Sequence, residues 1–220
     1  QWPARLPTAK KTHRFMGERM ELGDLQSPGW EAIDGALAPR YAGQEPKHYG
    51  TLISYELGGP DPIRGISAYK RLDPVPHWHF ITYGFSELYE KHSENKEVSG
   101  WGFELTMRLK TDAAAEEPPG WTLSFLQNLA RYVFNTGNVF ANGDYLNANG
   151  PIASESETLI RSVVFTHDPE LPPIETPNGH VEFLQVVGIT EDEELVVKQW
   201  KTLKVREVFK EPLPLLLTDL

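Results

Sequence analysis

The stretch WGFELTMRLK, residues 101–110, carries the clearest strand pattern in this sequence. Its apolar side chains stand at every second position: Phe103, Leu105, Met107 and Leu109. Because successive side chains of a strand point to opposite faces of a sheet, this spacing predicts a strand that buries those four residues. Thr106 and Arg108 fall on the other face, and we expect them to be more exposed. One buried face and one polar face are typical of an antiparallel or mixed sheet.

Further strand patterns lie on both sides of this stretch. They are short apolar or alternating runs that end at glycine, proline and polar residues, as strands do. The predicted strands are residues 48–57, 66–72, 77–83, 160–167 and 180–189, with a last apolar strand in LPLLLTDL at 213–220.

Three segments have the signals of helices. In residues 28–41, apolar and aromatic residues recur at spacings of three and four, which places them on one helical face. In residues 121–136, Leu126, Leu129 and Val133 form such a face, and Gly137 supplies a stop. Thr190 and Glu193 form a capping box, which predicts that a third helix begins there.

The order of these elements predicts one α+β domain, with a mixed, largely antiparallel sheet packed by helices. We assign this domain to residues 27–220. Residues 1–26 are expected to form a basic N-terminal arm, because residues 1–20 hold five Lys or Arg against one Glu, a net charge of +4.

Composition narrows the function classes. The net charge of −10 argues against binding to nucleic acid or to anionic membranes, since phosphate binding requires a basic face. The absence of cysteine excludes disulfides, thiolate metal sites and cysteine nucleophiles. Together with the lack of a secretory signal pattern at the start, it predicts a cytoplasmic protein.

His77 and His79 are the most suggestive residues for catalysis. On a strand they project to the same side, where they could ligate a metal together. A site needs a third ligand, and the candidates are scattered and lack diagnostic spacing: His48, Asp61, Glu104 and His180. The other interpretation is two histidines hydrogen-bonded within a half-buried sheet.

Local enzyme motifs are missing from the sequence. It contains no G-x-S-x-G elbow, no phosphate-binding glycine loop and no H-E-x-x-H pair. We therefore predict a non-enzymatic binding protein without a cofactor. The alternative is a metal-dependent hydrolase, or another enzyme, that uses His77 and His79.

Five segments, in this order, resemble the Suppressor of fused family. They are LGGPDPI (57–63), HWHFITYGFSELYE (77–90), SGWGFELTMRLK (99–110), LARYVFNTGNVFANGD (129–144) and TPNGHVEFLQVVGIT (176–190). The resemblance implies an α+β fold and a protein-binding role, with the histidine-rich strand as part of the fold.

The resemblance also implies a contact surface. Animal members regulate Hedgehog signalling and clamp a short peptide of Gli transcription factors between two domains, and this chain resembles only the first of them. A tyrosine and an acid of that domain contact the peptide. Tyr89 matches the tyrosine, whereas the loop that carries the acid is shorter here, so that Glu94 or Glu97 substitutes without a direct match.

Single-domain relatives are similar to bacterial proteins that have been proposed as immunity proteins. This resemblance implies a protein partner such as a basic toxin domain, which an acidic surface would attract. The predicted partner-binding residues are therefore Tyr89, Glu94 and Glu97.

Overall fold

The computed structural model describes residues 26–53, 55–153, 157–200 and 215–220. The predicted basic arm therefore lies outside the described residues, apart from residue 26. The elements, in chain order, are α1 Pro28–Leu37, β1 Lys47–Gly50, a 3₁₀ helix Tyr55–Leu57, β2 Gly65–Arg71, β3 His77–Tyr83, β4 Val98–Lys110, α2 Gly120–Thr136, β5 Tyr145–Asn147, β6 Ile160–His167, β7 Ile174–Thr176, β8 Gly179–Thr190 and α3 Glu191–Trp200.

One mixed sheet organises the described residues. Its strand order is β1-β2-β3-β4-β8-β6-β5, and β7 pairs separately with β8. The strands β4 and β8 are parallel, whereas every other pair of these strands is antiparallel. This confirms the predicted α+β class with a mixed, largely antiparallel sheet.

Helices α1 and α2 cover opposite faces of this sheet. Helix α2 buries Leu126, Leu129 and Val133 against the apolar side of β4, as the helical spacing predicts. Gly137 ends α2 in a left-handed conformation, with φ of 73°. On the other face, Ile33 and Leu37 of α1 pack against a second apolar cluster.

The second apolar cluster corrects one prediction. The strand pattern placed Thr106 and Arg108 on an exposed face, but both side chains have 0% exposure, as Leu105 does. The face that they share with Ile81 is covered by α1 and the residues around Leu171. Alternation in sequence identifies which residues share a face, but it does not reveal whether another layer covers that face.

Some boundaries also differ from the prediction. The first strand is limited to Lys47–Gly50, and the 3₁₀ helix follows in place of its second half. Of the predicted last strand, residues 213 and 214 lie outside the described residues, and within 215–220 the pairing is a single parallel bridge of Thr218 with Leu109. The capping box is confirmed, since the N–H of Thr190 donates to Glu193 Oε2 at 2.8 Å. Within the described part of the chain, no helix is long and apolar enough to cross a membrane.

Candidate functional site

The connection between β3 and β4 is anchored by a buried carboxylate. Glu104 of β4 has 0% exposure, and its carboxylate accepts hydrogen bonds from the backbone N–H groups of Gly84 and Ser86, both at 2.9 Å. The hydroxyls of Thr82 and Ser86 donate to it at 2.7 and 2.6 Å. Burial raises the pKa of Glu104, and these donors act in the opposite direction. Glu104 therefore fixes the turn after β3 and is not oriented as a metal ligand.

A second carboxylate holds the following loop. Glu87 accepts the backbone N–H groups of His92 at 2.6 Å, Ser93 at 2.5 Å and Gly100 at 3.1 Å, and it pairs with Lys91 Nζ at 3.1 Å. Burial alone would raise the pKa of Glu87, but these donors outweigh it and hold the pKa at about 2. The loop of residues 90–97 is thereby tied to the sheet.

An open groove of about 410 Å³ lies beside this loop. Tyr55, Trp101 and Phe134 form an aromatic wall, in which the ring of Phe134 lies 5.7 Å from that of Tyr55 and 5.5 Å from that of Trp101. Tyr89 lines the groove as well, and the guanidinium of Arg64 lies 5.5 Å from its ring centroid. The side chain of Tyr89 is half-buried, so one part of it packs against the fold while the other faces the groove.

The three predicted partner-binding residues share a loop but not the groove. Tyr89 lines it, whereas Glu94 and Glu97 are exposed and are not among its lining residues. The backbone carbonyl of Glu97 accepts the N–H of His180 at 2.9 Å, and the Glu97 residue is exposed. Sequence reasoning missed Trp101 and Phe134, because no local pattern indicates that residues on β4 and α2 meet beside Tyr89.

His79 belongs to a buried polar network on the α1 face. Its Nδ1 lies 2.5 Å from the hydroxyl of Tyr41, and its Nε2 lies 3.3 Å from Asp168 Oδ2. Burial and the charge of Arg108 lower the pKa of His79 to about 4, while burial raises the pKa of Tyr41 to about 12. Near neutral pH, Tyr41 is therefore protonated and His79 is neutral, so the Tyr41 hydroxyl donates a hydrogen bond to Nδ1 of His79.

Arg108 is the cation of this network. It donates to Asp168 Oδ2 at 2.7 Å and to Glu170 Oε2 at 2.9 Å, and it also bonds to Gln185. Burial would raise the pKa of Asp168, but His79 and Arg108 hold it well below its usual range. The amide of Gln185 in turn donates to the carbonyls of Leu215 and Leu216, so the network also attaches the C-terminal residues. These buried contacts join β4, the residues around Asp168 and the C-terminal residues, and so stabilise the fold.

The two histidines do not converge on a common ligand position. His77 is buried, and its Nδ1 lies 2.7 Å from the carbonyl of Val75, whereas His79 contacts Tyr41 and Asp168. The residues suggested as third ligands are bonded elsewhere, as Asp61 is to Arg131 and His180 to Glu175. No group of three His, Cys, Asp or Glu side chains in the described ranges could hold a metal ion.

Comparison with known proteins identifies relatives of this architecture. The family model of the Suppressor of fused protein (SUFU) matches residues 59–220. The human and mouse Suppressor of fused homologs are each 36% identical over 207 residues, which cover 87% of this chain and 43% of theirs. The chain thus spans less than half the length of these relatives.

Solved structures agree with this relationship. A chain of the Sufu–Fu complex matches with a TM-score of 0.81 and 31% identity, covering 88% of this chain and 91% of that one. Drosophila Suppressor of Fused gives a TM-score of 0.82 and 32% identity, over 88% of this chain and 50% of that one. A SUFU homolog from Neisseria gonorrhoeae shares the fold, with a TM-score of 0.57 and 14% identity over 84% of this chain and 90% of that one.

Proposed function

Because this chain belongs to the Suppressor of fused family, we propose that it is a protein-binding domain that contacts its partner through Tyr89 and the adjoining loop of Glu94 and Glu97. The observation that carries the proposal is the groove beside Tyr89. It is open, its wall is aromatic, and Glu87 holds its flanking loop in one conformation before any partner arrives. A loop that is already ordered loses little conformational entropy on binding.

Each element of this surface has a distinct part in the contact. Tyr89 and Trp101 supply large apolar area at low entropic cost, which is typical of the central residues of interfaces. Glu94 and Glu97 lie outside the groove, where they attract a basic partner and speed its encounter without being desolvated. The partner is therefore expected to present an apolar segment flanked by Lys or Arg.

Two further observations support a binding role. The related Sufu chain, of which this chain covers 91%, occurs in a complex with Fu. The groups that would suggest catalysis, His77 and His79, are buried and contact other parts of the fold. A more specific proposal is that the partner is a basic toxin domain neutralised by this chain, and the net charge of −10 supports it.

The test combines partner identification with matched variants. A partner recovered by affinity pull-down from the native host is purified, and its affinity for the parent chain is measured at moderate salt. The variant Tyr89→Ala/Glu94→Lys/Glu97→Lys should bind at least about tenfold more weakly, a loss of roughly 1.4 kcal/mol. The control is Glu45→Lys/Glu116→Lys, which reverses two exposed charges outside the groove.

The outcomes separate specific contact from overall charge. Unchanged thermal stability of both variants is checked first. Parent-like affinity of the Tyr89 variant would place the interface elsewhere. Equal weakening by both variants would reduce the proposal to net-charge attraction.

A further inference from the structure

A second cleft, of about 820 Å³, lies at the rim of the sheet between α2 and residues 146–152. One wall is a single face of α2: Trp121, Ser124, Phe125, Asn128 and Tyr132. Each of these residues lies three or four positions from another, so together they form a stripe along one side of the helix. None of these residues lines the groove at Tyr89, so the two sites are separate surfaces.

The other wall includes the edge of the sheet. Strand β5 is last in the strand order and is paired with β6 on one side, and no other strand of the described residues joins it. Toward β6, the carbonyl of Asp144 accepts from Phe165 and the N–H of Ala148 donates to Arg161, both at 2.8 Å. Because antiparallel strands alternate the direction of their backbone groups, Asn147 directs its N–H and C=O away from β6, toward the open edge.

The lining of the cleft indicates an uncharged occupant. Beneath the wall, its floor is apolar, formed by Leu129 and Ile152, and its polar lining includes the neutral amides of Asn128 and Asn149. Among its lining residues there is no Asp, Glu, Lys, Arg or His, although the chain as a whole carries a charge of −10. A charged segment would lose hydration here without gaining a partner.

We propose that this cleft binds an extended, uncharged peptide segment of a partner protein, which adds to β5 as a further strand and packs alternate side chains against α2. The helical stripe from Trp121 to Tyr132 is about 16 Å long, at about 1.5 Å per residue. That length equals about five strand residues at about 3.3 Å each. A groove between an edge strand and a helix is a recurrent geometry for recognising extended peptides, in which backbone hydrogen bonds supply affinity and side-chain pockets supply specificity.

In the experiment, peptides that bind the full chain are selected from a phage-displayed library of random linear peptides. The best binder is synthesised, and its affinity is measured by fluorescence polarisation. One pair of variants tests the strand edge. Asn147→Pro removes the outward N–H and the side chain but spares the backbone bonds to β6. Asn147→Ala keeps that N–H and removes only the side chain, which donates to Glu194 at 3.0 Å and accepts the N–H of Asn149 at 2.8 Å. A second pair tests the helix: Asn128→Lys puts a charge into the cleft, and Asn135→Lys puts one on the same helix outside it.

The expected result is weakening by at least about tenfold in Asn147→Pro and Asn128→Lys, and parent-like affinity in the two controls. The affinity should also depend little on salt, and bound peptide should slow hydrogen exchange of the Asn147 amide. The proposal is overturned if no peptide is enriched on the parent relative to Asn128→Lys, or if Asn147→Pro binds as well as Asn147→Ala. Binding of neutral oligosaccharides on a glycan array, with no peptide enriched, would also overturn it.

Discussion

The network around Arg108 and the groove at Tyr89 lie on the same sheet and use polar residues in opposite ways. The network contains the charged and titratable groups Arg108, Asp168 and His79, and all three side chains have 0% exposure. The groove is open and is lined largely by aromatic rings, and its best-bonded acid, Glu87, holds a loop. In this protein the charged and titratable side chains of the network are therefore buried parts of the fold. The candidate binding site is instead identified by its exposed aromatic groove.

The largest effect is expected from Arg108→Met, which tests whether the network is structural. Removing this guanidinium leaves Asp168 buried without its cation, and loss of one partner of a buried pair costs about 3–5 kcal/mol. Denaturant unfolding at neutral pH measures the loss. The matched control is Lys110→Met, two residues along the same strand, whose exposed pair with Asp219 contributes about 0–1 kcal/mol. If both variants lose equally little unfolding free energy, the buried network contributes no more to stability than an exposed ion pair.

Sequence patterns predicted the apolar half of this picture well. The alternation of residues 103–109 and the helical spacing of Leu126, Leu129 and Val133 are local, and all of these elements are confirmed. The burial of Arg108 depends on Asp168, 60 residues away, and no local period encodes such a partner.

The candidate site divides in the same way. Family resemblance pointed to Tyr89, and the structure brings Trp101 and Phe134 beside it from two other elements. The acid of the family's loop has no aligned counterpart here, so Glu94 and Glu97 correspond to it only in residue type, and they lie outside the groove. Tertiary contacts between distant elements are what the sequence alone leaves undetermined.

Leu129→Ala measures how much the apolar face of the sheet contributes to the free energy of unfolding, for comparison with the Arg108 network. Leu129 is 3% exposed in α2, and truncation of a fully buried leucine costs about 2–5 kcal/mol through lost transfer energy and a residual cavity. A thermal or denaturant melt measures it. A loss below about 0.5 kcal/mol, which is usual for surface positions, would contradict the packing of α2 on the sheet.

Glu87→Gln should have a smaller effect, because it acts on the loop beside the groove. The amide accepts fewer of the N–H groups of His92, Ser93 and Gly100, and loss of hydrogen bonds to a charged acceptor costs about 1–3 kcal/mol. Since the folded-state pKa of Glu87 is lowered from 4.5 to about 2, its contribution is fully present above pH 4.5 and is lost as the pH falls toward 2.

The measurement for Glu87 is the difference in unfolding free energy between parent and variant across this pH range. Glu90→Gln, which changes the exposed neighbouring acid, is the control and should follow the parent. A difference that stays constant from neutral pH to pH 3 would show that the loop is held by other contacts. The preorganisation of the groove wall would then not depend on the charge of Glu87, and the account of the Arg108 network would be unaffected.

The smallest effect is expected from zinc, which tests whether the buried histidines belong to the fold or to a metal site. Both are 0% exposed, and a metal would have to displace the contacts of His79 with Tyr41 and Asp168. Zinc at a hundredfold excess over its dissociation constant would add about 2.7 kcal/mol, which raises the Tm of a chain this size by about 5–10 °C. We expect added zinc to raise the Tm by less than about 1 °C. We also expect no stoichiometric zinc in elemental analysis of protein purified without added metal. Zinc that is retained by the parent and lost from His77→Ala/His79→Ala would show that these histidines bind metal. It would restore the alternative of a metal-dependent enzyme.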